Sequence, residues 1–195
     1  MKEELAILKR ILAERRSIKP EDYSGELIDD HFVKLILEQA NWAPTHGYTE
    51  PWRFVVYKGE ALNRLGQFLA TYDQADPEAE GFNQIRFDRK ANRPTMASHV
   101  IGIAMKSGTN PKIPEIEEVA AVAMAVQNMW LMTHTLGLGS YWSTGEVAFS
   151  EALRDFMGFD EDHKAMGLFY LGKPTKENPK GRRISEIESK VRWED

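Results

Sequence analysis

The stretch from Val119 to Leu138 constrains the fold most, because it is rich in Ala, Val, Met and Leu and has no clearly polar face. It also contains Gln127, Asn128 and His134, which the core of a bilayer would tolerate poorly. The pattern therefore predicts a helix over about residues 115–136 that is buried inside a protein. Such a helix needs packing partners on nearly all sides, and a small sheet alone does not supply them.

Apolar periodicity divides the rest of the chain into helices and short strands. Helical spacing predicts helices over residues 2–14, over about 26–41, around Leu62 to Leu69, and between the N-cap Ser150 and Gly158. Short apolar runs bounded by turn residues predict strands over residues 53–57, 100–105, 140–143 and 167–171. Residues 73–98 are polar, which predicts a partly helical segment on the surface rather than a linker between domains. We therefore expect one domain over residues 1–195.

Composition excludes several classes of function. The chain has 195 residues, a net charge of −5 and no cysteine. Thiolate metal sites, iron–sulfur clusters and thiol redox pairs are therefore excluded, and any redox chemistry needs a bound cofactor. The negative charge disfavours binding to nucleic acid. The five histidines lack metal-ligand spacing, so we expect no metal, and the charged N-terminus lacks a signal-peptide core, so we expect no membrane and a cytoplasmic location.

Three polar segments could carry chemistry. Glu14-Arg15-Arg16-Ser17 ends the first helix, and two guanidiniums with a hydroxyl can hold a phosphate. On residue types alone, however, a solvated helix end is the more common explanation of such a pair. The segment from Trp42 to Trp52 contains two prolines and His46, and it predicts a rigid, partly apolar turn or a plain surface loop. Trp142-Ser143-Thr144-Gly145 offers accessible backbone and small hydroxyl groups to a ligand. The other interpretation of this segment is a plain helix–strand connection.

In this order, and with a basic pair at Arg182-Arg183, the three segments resemble the nitroreductase family of FMN-dependent oxidoreductases. The resemblance implies an α+β fold with a central, mostly antiparallel sheet wrapped by helices around a long buried helix. It implies FMN as cofactor, NADH or NADPH as co-substrate and a homodimer with FMN at its interface. It also implies a ping-pong transfer of hydride to an electron-poor small molecule such as a nitroaromatic or a quinone, with no catalytic side chain because the chemistry belongs to flavin N5.

The resemblance also implies which residues bind the flavin. They are Arg15, Arg16, Ser17, Trp42, Pro44, Thr45, His46, Trp142, Ser143, Thr144, Gly145, and Arg182 or Arg183 at the phosphate. Ala43-Pro44-Thr45-His46 is typical of a smaller subgroup with Ala-Pro-x-His before x-Pro-Trp. Tyr48 and Glu50 depart from the common pattern, which has Asn and Gln there. We expect the late apolar residues Val191 and Trp193 to dock on the partner chain.

Two other interpretations of the sequence stay open. One is different flavin chemistry on the same scaffold, namely dehalogenation, flavin fragmentation or ene-reduction, because a fold does not fix a function. The other is non-enzymatic: a flavin-binding protein for storage or sensing, or an interaction domain. No motif that reads the ribose of a nicotinamide cofactor distinguishes NADH from NADPH, and nothing names the acceptor.

Overall fold

The computed structural model of the chain describes residues 1–194. Within them the chain forms six α-helices and one four-stranded sheet. In chain order the elements are α1 (Lys2–Glu14), α2 (Asp30–Ala40), β1 (Trp52–Tyr57), α3 (Glu60–Asp73), α4 (Gln84–Asn92), β2 (His99–Lys106), α5 (Glu115–Thr135), β3 (Gly139–Ser143), α6 (Glu151–Phe156) and β4 (His163–Gly172).

The sheet has the strand order β1-β2-β4-β3, and every neighbouring pair is antiparallel. Strands β2 and β4 occupy the centre, and nearly all of their residues are buried. Strands β1 and β3 form the two edges. This arrangement confirms the predicted α+β fold with a central antiparallel sheet.

Helices cover both faces of the sheet. The side chains of β2 point to alternate faces and show which helices pack on each one. Ile101, Ile103 and Met105 pack with the apolar sides of α2 and α5. Val100 and Ala104 point to the other face, where α3 and α6 supply the core. Burial of each large aliphatic side chain stabilises the fold by about 1.5–3 kcal/mol relative to exposure. The protein is thus a three-layer structure with a hydrophobic core on each side of the sheet.

Helix α5 forms as predicted, and a single chain covers only part of it. Ala121, Val122, Ala125, Val126 and Met129 are buried against the sheet and α2, whereas Ile116 and Met124 stay exposed. Helix α1 buries none of its residues, although Leu5, Leu8 and Leu12 form an apolar side. The expectation that the long helix needs more partners than a small sheet provides agrees with these exposed surfaces.

Some predicted boundaries were wrong, each for a local physical reason. Strand β4 begins at His163 rather than at residue 167, because polar residues open it and a bulge at Met166 breaks its alternation. Gly167 follows the bulge with φ +108°, a conformation that suits glycine. Helix α2 begins at Asp30 rather than near residue 26, because the Asp29 carboxylate accepts a hydrogen bond from the His31 amide at 2.7 Å and caps the helix there.

Neither a membrane-spanning helix nor a metal-binding cluster occurs among residues 1–194. No helix in this part of the chain is both long enough and apolar enough to cross a membrane. Over the same residues, no group of three or more His, Asp or Glu side chains is placed to hold a metal ion.

The close contact between α3 and α4 predicts that a methyl group added at Gly66 destabilises the fold. A Cβ added at Gly66 would lie 1.9 Å from the carbonyl oxygen of Ala91. Alanine usually stabilises a helix interior relative to glycine by about 0.5–1 kcal/mol, but this clash with backbone outweighs that gain. We expect Gly66→Ala to lower the free energy of unfolding in urea by roughly 1–3 kcal/mol. Gly145→Ala is the control, because its Cβ would meet no atom within 4 Å. Equal stability of Gly66→Ala and the parent would contradict this packing.

Candidate functional site

Three arginine side chains gather where α1 ends. The Arg15 guanidinium lies 4.6 Å from the centre of the Trp130 ring, and its Nη1 is buried without a hydrogen-bond acceptor. Burial lowers the pKa of the Arg15 guanidinium below its usual value, and the charges of Arg16 and Arg183 lower it further. A buried donor without an acceptor and three like charges are both unfavourable. The arrangement therefore suits a bound anion that would accept from Arg15 and offset the repulsion.

Arg16 attaches the C-terminal segment to this cluster. Its Nε donates to the carbonyl oxygen of Pro179 at 2.9 Å, and its Nη1 donates to the carbonyl oxygens of Ala13 at 2.7 Å and Arg15 at 2.6 Å. A Cβ at Gly181 would lie 1.8 Å from Arg16 Nη2, so glycine permits this close approach. The segment thereby brings the charge of Arg183, rather than that of its neighbour Arg182, to Arg15.

A cleft of three adjoining cavities begins beside the arginine cluster and extends from Ser17 to Gly145. The first cavity, of about 430 Å³, shares Lys19 with the second, of about 490 Å³. The second shares Lys90 and Arg93 with the third, of about 160 Å³, which reaches Ser143 and Gly145. The cleft thus connects two of the three segments singled out in the sequence.

Cations line the middle of this cleft, and the sequence patterns did not identify them. Lys90 pairs with Asp73 at 2.8 Å, and the hydrogen bond from Arg86 is the main reason that the pKa of Asp73 lies below its usual value. The Arg93 Nε lies 3.1 Å from a Glu21 oxygen, yet it has no well-aligned hydrogen bond. With Lys19 and Arg89 the middle cavity has four cations and one carboxylate, so it favours an anionic or electron-rich ligand edge.

A signal for Lys19 was present in the sequence. The backbone amide of Ile18 donates to the carbonyl oxygen of Ser140 at 2.9 Å, and Ile18 is buried between the exposed Ser17 and Lys19. In an extended segment, side chains two residues apart share a side. Ser17 and Lys19 therefore lie on one side, and Lys19 could have been inferred from Ser17. Lys90 and Arg93 lie in residues 73–98, where no motif pointed to them.

Aromatic rings connect α5 to β3 and to the end of α1. Trp142 donates its Nε1 hydrogen to the carbonyl oxygen of Met166 at 3.0 Å and meets Trp130 edge-on at 6.5 Å between ring centroids. Trp130 in turn contacts Arg15, so α1, α5 and β3 meet through these side chains. Beyond Trp142, Ser143 is half-buried, whereas Thr144 and Gly145 are exposed and present accessible backbone. The sequence had placed Trp130 only within a buried helix and missed this role.

The remaining predicted residues belong to the loop between α2 and β1. His46 Nδ1 lies 2.5 Å from Glu117 Oε2, at the N-terminal end of α5. The Thr45 and Thr49 hydroxyl oxygens are hydrogen-bonded at 2.8 Å. Pro44 is exposed, and Trp42 is 81% exposed beside a groove of about 580 Å³ along α2 and β1. These four residues, Trp42, Pro44, Thr45 and His46, form the second group of predicted site residues.

One chain does not bring the two groups together. Glu117, which holds His46, and Trp130, which holds Arg15, are thirteen residues apart on α5, which corresponds to about 20 Å at 1.5 Å per residue. The loop also runs into β1, whereas the cleft ends at β3 on the opposite edge of the sheet. The predicted residues thus occupy two separate surfaces of the monomer.

Comparisons with known proteins identify relatives of this chain. The model of the nitroreductase family matches residues 12–173, from the end of α1 to the end of the sheet. The chain is 32% identical over 142 residues to YdjA of Escherichia coli (strain K12), which is provisionally named an NAD(P)H nitroreductase. That match covers 73% of this chain and 75% of YdjA.

Solved structures share the fold. A nitroreductase-like family protein from Bacillus cereus superposes with a TM-score of 0.81 at 21% identity, over 96% of each chain. The FMN-dependent nitroreductase NfnB from Mycobacterium smegmatis, solved in complex with NADPH, superposes with a TM-score of 0.74 at 18% identity. This second match covers 98% of this chain and 100% of NfnB. At these identities the likeness concerns the fold, and it confirms the predicted fold class.

The arginine cluster predicts stabilisation by inorganic phosphate. At ten times its dissociation constant, phosphate should stabilise the fold by about 1.4 kcal/mol and raise Tm by roughly 2–5 °C over chloride at equal ionic strength. Differential scanning fluorimetry measures this shift. Arg183→Gln should diminish it, because that charge reaches Arg15, whereas the neighbouring Arg182→Gln should retain it. Equal shifts in both variants would contradict the assignment of Arg183.

Proposed function

The chain belongs to the nitroreductase family, and from this membership we propose that it is an FMN-dependent oxidoreductase that transfers hydride from NADH or NADPH to an electron-poor small molecule. The observation that carries the proposal is the buried, unpaired Arg15 Nη1 within a three-arginine cluster, next to a basic cleft. A phosphate attached to a flat, electron-rich ring system fits both features.

The residues present fit FMN. Its phosphate would accept from Arg15 and Arg183 and from the Ser17 hydroxyl, since charge-assisted hydrogen bonds to phosphate are the strong ones. The accessible backbone of Thr144 and Gly145 would offer hydrogen-bond groups to its ring. When bound, FMN supplies the atom that accepts a hydride from the nicotinamide and donates it to the acceptor.

The side chains of the cleft supply position and charge. Lys19, Lys90 and Arg93 surround its middle and would stabilise negative charge at the edge of a bound ring. Arg16 and the Trp142–Gly145 segment, which the resemblance also implies bind the flavin, are the other candidates for this task. Because Arg16 Nε and Nη1 donate to backbone carbonyls, Lys19 and Arg93 suit the task better. The proposed chemistry needs no nucleophilic side chain, and the nicotinamide and the acceptor would use one site in turn, which is a ping-pong cycle.

We also propose a homodimer with FMN at its interface. Exposed apolar surfaces on α1 and α5 support it, as do Val191 and Trp193, since Trp193 is 87% exposed. The division of the predicted site into two groups supports it further, because a second copy could place the loop of His46 against the cleft of its partner. A two-fold interface would bury all of these surfaces at once. The single domain over residues 1–195 and the cytoplasmic location stay predictions.

Absorbance spectroscopy tests the enzymatic proposal. The protein saturated with FMN should lose its visible flavin absorbance on addition of NADH or NADPH and regain it with 1,4-naphthoquinone. Arg15→Ala removes a charge-assisted hydrogen bond of about 1.5–3 kcal/mol and should weaken FMN affinity about ten- to over a hundredfold. Arg182→Ala serves as the charge-matched control. Binding without reduction by either nicotinamide would favour a flavin store, and absence of binding would refute the site.

Sedimentation equilibrium at low micromolar concentration tests the assembly. We expect a species of twice the mass of one chain. Leu8→Glu on the apolar side of α1 should weaken association, because it would place a carboxylate in a desolvated interface. Lys9→Gln on the same helix is the control, because it changes the net charge by the same one unit. Removal of FMN should also lower Tm, because folding, binding and association are linked. A stable, flavin-loaded monomer would overturn the interface and the role of His46.

A further inference from the structure

The loop between α2 and β1 holds an exposed tyrosine in a conformation that tyrosine rarely adopts. Tyr48 has φ +57° and is 91% exposed. Glu50, two residues later, has φ +42°, and Gly47 has φ +62°. A residue with a side chain is uncommon in the left-handed region, and local strain of this kind concentrates at functional sites. The Tyr48 ring gains little from burial in the monomer, so packing within one chain does not explain the strain.

Several contacts hold this loop in place. His46 pairs with Glu117 at 2.5 Å, and Arg53 Nη1 donates to the Glu50 carbonyl oxygen at 2.8 Å. The Thr45 hydroxyl oxygen accepts from the Glu50 amide at 3.3 Å. A Cβ at Gly47 would lie only 3.0 Å from Ile113 Cδ1, so the loop also rests on the segment before α5. These contacts fix the backbone on both sides of Tyr48 and keep its ring directed away from the body of the chain.

We propose that Tyr48 determines acceptor specificity: in the homodimer its ring stacks on a planar aromatic electron acceptor bound at the cofactor of the partner chain. This inference rests on the proposed function. Tyr48 lies two residues from His46, so a dimer that brings this loop to the partner's cleft brings Tyr48 there as well. Its own arginine cluster lies about 20 Å away along α5, so that cleft is out of its reach.

The chemistry of stacking indicates the acceptor class. An acceptor that takes hydride lies with one face against the flavin, and its other face stays in water unless the protein covers it. Tyrosine presents a flat, electron-rich ring, which favours offset stacking with electron-poor rings such as quinones and nitroaromatics. An acceptor without a flat face, such as ferricyanide, gains nothing from that ring. Tyr48 should therefore favour planar acceptors over compact ones.

Stopped-flow and steady-state kinetics of the FMN-loaded protein test this proposal with Tyr48→Asn and Tyr48→Phe. Asparagine suits the left-handed conformation and removes the ring, whereas phenylalanine keeps it. We expect Tyr48→Asn to raise KM for 1,4-naphthoquinone about three- to tenfold, from the usual strength of aromatic pairs. Its kcat should change less, its KM for ferricyanide should not change, and its Tm should equal or exceed that of the parent. Tyr48→Phe should behave like the parent.

The outcomes separate three explanations. An unchanged KM for naphthoquinone in Tyr48→Asn overturns the proposal. So does an equal loss with ferricyanide, or a loss of FMN or of the dimer, because each would show that Tyr48 has a structural role. Failure of the proposed function appears separately, in the parent, as absence of FMN binding or of reduction by NADH and NADPH before any acceptor is added. In that case the role of Tyr48 is refuted with it.

Discussion

The packing of α5 on the sheet is the interaction on which the rest of this structure depends. Its small and branched side chains pack against α2 and share a hydrophobic core with the central strands β2 and β4. Each functional segment is attached to a different point along it. Glu117 holds the loop of His46, Trp130 holds Arg15, and His134 accepts at 3.3 Å from Asn178 of the C-terminal segment. Burial lowers the pKa of His134, which keeps the ring neutral and suited to accept.

The surface formed by the arginine cluster and the basic cleft, by contrast, lacks hydrogen-bond acceptors for some of its cations. Most buried polar groups in proteins find partners, yet Arg15 Nη1 and Arg93 Nε lack well-aligned acceptors. Both belong to the surface that joins the arginine cluster to the basic cleft. Within the same cleft Lys90 is matched, because Asp73 pairs with both Lys90 and Arg86. The arginine cluster, with its buried and unpaired Arg15 Nη1 and its neighbouring like charges, is the place where a ligand would supply negative charge.

The sequence predicted those parts of the fold that depend on local patterns. Apolar periodicity located α5, and Ser150 caps α6 as expected by accepting from the Leu153 amide at 3.1 Å. It failed where long-range pairing decides, as at His163, whose strand conformation is set by its partner Lys106 in β2. At the candidate site, motifs indicated Arg15 and Gly145. Lys90 and Arg93 could not be found, because only the folded chain brings them beside Lys19.

The two groups of site residues lie far apart along α5, and this separation would couple ligand binding to the association of two chains. A cleft that needs the loop of a second chain to complete it is assembled only when two chains associate. Binding and association then stabilise each other by linkage, since a ligand held by both chains favours the dimer. The exposed apolar sides of α1 and α5 and the strained loop at Tyr48 are unfavourable in a lone chain. In the proposed dimer the apolar sides would be buried, and the loop would lie against the partner's cleft. Under that proposal, the surfaces and the strain of a single chain are explained by its role as one half of a shared site.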